Sequence, residues 1–114
     1  MSDREIDPNV AIDFMLKHAE QYAVAKANRI FVEEYRKTLK AELMKDALSR
    51  GFEAVNAQER EAYSHPKYKQ HLKDIQTAHE LEITLDWQLI AARARVDVWR
   101  TQEASNRTID KVTM

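Results

Sequence analysis

Between Pro66 and Asn106 the chain carries an apolar seam in a seven-residue repeat. The first seam position holds Tyr68, Ile75, Glu82, Leu89, Val96 and Glu103; the second holds His71, Ala78, Leu85, Ala92, Trp99 and Asn106. No glycine and no interior proline interrupts the stretch. A 3–4 alternation sustained over this length predicts a long helix that lies along another helix with a slight left-handed wrap. The rest of the chain must therefore offer a second helix of similar length.

Residues 8–50 offer it. Asp7 suits a helix cap and Pro8 the first helical position, while Asp13 places negative charge at the positive end of the helix dipole. Ile12, Leu16, Ala19, Ala23, Ala27 and Ile30 fall on one face, with an eleven-residue spacing close to straight-helix geometry. Beyond Ile30 the stripe drifts to Val32, Tyr35, Leu39, Leu43 and Ala47. Met15, Val24, Phe31 and Met44 lie off the first stripe, giving this helix more apolar surface than one partner needs. Gly51 stands where helices end in a left-handed residue.

The segment 52–64 is the connection. Asn56 followed by Glu59 reads as a capping box, so a short helix is expected over Ala57–Tyr63. Ser64 or His65 then caps the seam helix, with Pro66 in its first turn. Two helices of about 40 residues, some 60 Å each at the standard rise, joined by so short a link favour an antiparallel pair. Folding the chain there sets Ala19, Ala23, Ala25 and Ala27 near Ala91, Ala92 and Ala94. The expected fold is a single all-α domain over residues 1–114. It is an antiparallel helical hairpin with a short connecting helix that associates into a bundle, with residues 1–6 and 108–114 disordered. So thin a monomer is marginal, and a homo-oligomer, with a dimer favoured, is expected. Phe31, Tyr35, Leu85, Leu89, Ala92, Val96 and Trp99 are the candidate helix-packing and oligomer-interface residues.

Composition removes several kinds of chemistry. There is no cysteine, hence no disulfide, thiolate nucleophile or thiolate zinc site. The four histidines, His18, His65, His71 and His79, lack any i,i+4 pairing, and no HExxH occurs. His71 reads as a polar seam residue and the others as surface. Most carboxylates alternate with Lys and Arg at helical spacing, as solvated helix faces do. Glu82, on the seam, is expected to fix register or to pair with a cation of the first helix, such as Lys40 or Arg36. Neither a nucleophile–base pair nor a phosphate-binding glycine loop is present, so a non-enzyme without cofactor or metal is expected. Apolar runs are too short to span a membrane, and the polar N-terminus does not read as a signal or transit peptide. A cytoplasmic location is the expectation.

A formal charge of −1 provides no bulk attraction for nucleic acid, so only local patches can bind it. Arg29, Arg36, Lys37 and Lys40 form one cluster; Arg93, Arg95, Arg100 and Arg107 form another. Arg93, Arg100 and Arg107 recur at seven-residue steps along one helix edge, a spacing that can follow a phosphate backbone or meet an acidic partner. Trp99 lies among them but belongs to the seam.

The stretches QEREAYSHPKYKQHL (Gln58–Leu72) and ARVDVWRTQEASNR (Ala94–Arg107) resemble segments of small helical proteins of tailed bacteriophages. The resemblance runs from about Ala25 to Arg107. Proteins of this kind are similar to products of phage DNA replication and recombination regions. The resemblance implies an accessory role in phage DNA metabolism, inside the host cytoplasm, with DNA or a phage or host protein as partner. It carries no catalytic residue. Without DNA contact, the same helices suit an adaptor or inhibitor that presents one face to a host protein.

Overall fold

The computed structural model describes residues 5–113. Among them lie α1 (Pro8–Ser49), α2 (Val55–Ser64) and α3 (Pro66–Thr113), and no strand. The chain is all-α, two long antiparallel helices joined through a short one.

Local chemistry accounts for each boundary. The Asn9 amide donates to Asp7 Oδ1 at 2.9 Å, so Asp7 caps α1 and Pro8 is its first residue. At the other end the Phe52 amide donates to the Ala47 carbonyl at 3.0 Å and the Gly51 amide to Leu48 at 3.1 Å. That pair of bonds is a Schellman closure, and Gly51 supplies its left-handed residue at φ 103°. α3 opens on His65, whose Nδ1 accepts from the Lys67 amide at 3.0 Å. The Ser64 hydroxyl instead turns back to the Arg60 carbonyl at 2.7 Å.

Two boundaries differ from expectation. α2 begins at Val55, with Ala54 in the cap position and no side-chain cap, so Asn56 is inside the helix and forms no capping box. The buried Gln58 does the stitching: its Nε2 donates to the Phe52 and Glu53 carbonyls at 3.0 and 3.2 Å. α3 continues past Asn106 to Thr113, so residues 108–113 are helical rather than disordered. Nothing from Arg107 to Thr113 is a helix breaker, and Thr108 and Thr113 satisfy their hydroxyls on the carbonyls one turn back. The expectation of disorder over 1–6 lies mostly outside the described residues.

Contacts divide the chain into two units. One joins the start of α1, up to Ala23, to α3 from Ile83 onward; the other is Val24–Glu82. In the second unit Leu39, Leu43, Ala62 and Tyr68 form the core, with Met44 packed against it. Tyr63 meets Tyr68 edge-on, centroids 5.2 Å apart.

The α3 seam is the inward face. Tyr68, His71, Ala78, Glu82, Leu85 and Ala92 are buried, and Ile75, Leu89, Val96, Trp99 and Glu103 are half-buried. Asn106 is exposed.

On α1 the inward stripe differs from the expected one up to Ile30 and follows it beyond, where Val32, Leu39, Leu43 and Ala47 are buried or half-buried and Tyr35 is exposed. Ile12, Leu16, Ala19, Ala23, Ala27 and Ile30 are all exposed. The row that turns inward runs through Ala11, Met15, His18 and Tyr22 in the first unit, and Ala25, Arg29, Val32, Leu39 and Leu43 in the second, each buried or half-buried. These also recur in a 4–3 alternation, but His18, Tyr22 and Arg29 dilute its apolarity. The expected alanine match shifts accordingly: Ala91 and Ala92 share a groove with Ala11 and Phe14, while Ala19, Ala23, Ala27 and Ala94 are exposed.

Candidate interaction faces

The second unit carries a polar layer across its seam. Arg29 donates from Nε to Glu82 Oε2 at 2.6 Å and from Nη2 to Oε1 at 3.1 Å. Its Nη1 reaches Glu33 Oε2 at 3.2 Å, and Glu33 Oε1 accepts from His79 Nε2. Glu82 therefore pairs with Arg29, not with Lys40 or Arg36. Its register places it beside residue 29, about two helical turns from Arg36 and about three from Lys40. Arg29 holds the Glu82 carboxyl below the usual carboxylate range. Glu33 is likewise lowered, first by its bond to His79 and then by Arg29. His79 is thus a network member rather than free surface. His71 Nε2 donates to the Val32 carbonyl at 2.7 Å, the seam role expected of it. His18, expected at the surface, is half-buried, stacked on Phe14 at 3.9 Å, with Nδ1 donating to the Phe14 carbonyl. A bidentate pair with further partners ties α1 to α3 at one register.

Apolar side chains also point away from both seams. In the first unit Leu16 on α1 and Trp87 on α3 are 73% and 64% exposed. Ile83, Trp87, Ile90 and Ala94 are all exposed and form a second 4–3–4 repeat, one or two residues on from the inward row of Glu82, Leu85, Leu89 and Ala92. In the second unit Val24, Ile30 and Phe31 are exposed on α1. Of the candidate interface residues, Leu85, Leu89, Ala92, Val96 and Trp99 lie on the inward seam. Phe31 and Tyr35 are exposed and stack on each other at 6.0 Å.

Arg93, Arg100 and Arg107 are exposed along α3. Among the described residues, the ion pair made by this row is Arg100 with Asp97, at 3.9 Å. Arg100 and Arg107 border a shallow depression with Thr101, Ser105 and Thr108. In the second unit Arg36, Lys37 and Lys40 share a cleft of about 330 Å³ with Tyr63 and Tyr68. There the Lys40 ammonium lies 4.8 Å from the Tyr63 ring centre and 3.4 Å from Glu59 Oε1. The groove at Ala11, Ala91 and Ala92, about 520 Å³, exists because three small side chains leave space beside Phe14. Glu5, Asp7 and Arg95 supply its charges.

Among the described residues no group of three His, Asp or Glu is placed to hold a metal ion. Nor is any described helix long and apolar enough to cross a membrane. What the surface offers is faces for contact: unpartnered apolar strips and rows of cations on helices.

No family model, curated protein or solved structure matches this chain.

Proposed function

We propose that the protein is a non-enzymatic, homo-oligomeric helical accessory protein of phage DNA recombination or replication, binding DNA, a protein partner, or both. The observation that carries this reading is α3 beyond Glu82. That stretch pairs an exposed apolar strip, suited to protein contact, with the exposed cations Arg93, Arg100 and Arg107. Guanidinium groups spaced along a helix suit phosphates, and counterion release makes such binding weaken steeply with salt. The Arg36–Lys40 cleft with its tyrosines is a second basic site of the same kind. The resemblance to phage proteins adds the DNA context.

The test is retention of labelled DNA at low salt, comparing the parent with Arg93→Glu/Arg100→Glu/Arg107→Glu. The parent should retain DNA in a salt-sensitive manner and the variant should lose it. No retention by the parent ends the DNA reading.

A second reading has its own support. The exposed Val24, Ile30 and Phe31 of α1 suit docking in a partner's groove, as an adaptor or inhibitor of a host protein does without DNA. Partners captured from host extract that survive nuclease treatment favour it; partners lost with the DNA favour the first.

A further inference from the structure

In the first unit one strip of exposed apolar residues has the symmetry to receive a second copy. Ile83, Trp87, Ile90 and Ala94 form an exposed 4–3–4 repeat with no charged residue among them.

Their order is self-complementary. If two such helices cross antiparallel about a two-fold axis near residues 88–89, Trp87 meets Ile90 and Ile83 meets Ala94, each pair occurring twice. The same axis acts on one edge of the strip, where Asp86 and Arg93 lie one heptad apart. It brings Asp86 of one copy opposite Arg93 of the other, and the reverse. Among the described residues neither makes an ion pair within its own chain. Apolar residues that pair with their own row under the two-fold, flanked by reciprocal opposite charges, are what an isologous antiparallel contact requires.

We propose that α3 pairs antiparallel with α3 of a second copy of this chain through Ile83, Trp87, Ile90 and Ala94, with reciprocal Asp86–Arg93 ion pairs at its edge. This rests on the self-association in the reading above and specifies its face. Because Arg93 then serves at the contact between copies, Arg100→Glu/Arg107→Glu, which spares that contact, separates loss of anion binding from loss of the dimer. Trp87 is the anchor, since large exposed aromatics near an interface centre carry most of the binding energy.

Sedimentation equilibrium over a concentration series, with circular dichroism on each sample, tests it on the full chain. Trp87→Glu should weaken dimerisation by about 30-fold or more with helicity unchanged in the monomer. Asp86→Arg and Arg93→Asp should each weaken self-association by about tenfold. Mixed in equal amounts, those two variants should form a heterodimer as tight as the parent homodimer, because all four edge positions then face opposite charge. A dimer indifferent to all three substitutions overturns this face and leaves self-association standing. A parent that is monomeric at every concentration overturns both. A mixture that fails to recover overturns the antiparallel register.

Discussion

Arg29 and Glu82 face each other across the seam through two hydrogen bonds, at 2.6 and 3.1 Å, with their side chains 22% and 12% exposed. A charge pair placed this far from water costs desolvation for both partners, so removing one is worse than removing both. Glu82→Leu should lower the urea midpoint, and adding Arg29→Leu should restore it to the parent value or above. Equal midpoints for the single and double variants would show that Arg29 left without Glu82 carries no penalty of an unpaired charge.

The pH dependence follows from the same layer. Glu82 is lowered by Arg29, and Glu33 by His79 and then by Arg29. A carboxyl lowered in the folded state contributes stability that is full above its unfolded value, about 4.3, and is lost as pH falls through the folded value. Stability should therefore decline as pH drops below about 4.3. Urea titrations at successive pH values should show this decline in the parent and a flatter one in Glu82→Gln and Glu33→Gln.

Leu43 is 6% exposed in the core of the second unit, beside Leu39 and Tyr68. Truncation removes its transfer energy and leaves a cavity, so Leu43→Ala should cost about 2–3 kcal/mol. Val112, 81% exposed on α3, has no packing to lose, and Val112→Ala should be within about 0.5 kcal/mol of the parent. Chemical denaturation of both variants checks the contrast.

Gly51 has φ 103°, and a Cβ built there meets nothing within 4 Å. The cost of Gly51→Ala is therefore backbone strain alone, about 1 kcal/mol. Gly51→Asn should cost less, because asparagine tolerates the left-handed region better. If Gly51→Ala were as stable as the parent, the Schellman closure would contribute little to holding α1 and α2.

Much of this was legible in the residues. Asp7, Pro8, Gly51 and His65–Pro66 mark helix ends by local rules that need no tertiary contact. The α3 seam was legible to Glu103, because its contrast between apolar and charged positions is strong. The α1 stripe was legible beyond Ile30, through Val32, Leu39, Leu43 and Ala47, but not before it. Its truly inward row contains His18, Tyr22 and Arg29, and the purely apolar row beside it, Ile12 to Ile30, scores higher on periodicity alone.

A helix with apolar residues on more than one face does not declare which face turns inward. That choice belongs to the neighbour: α3 presents His71 and Glu82, and only a row offering a carbonyl at Val32 and a guanidinium at Arg29 satisfies them. Sequence alone determined that the chain makes two long helices, where they start and where α1 stops, since those are short-range matters of capping and propensity. Tertiary structure decided the rotation of α1 and the partner of Glu82, and so which apolar residues were left outside, because each depends on long-range pairing of buried polar groups.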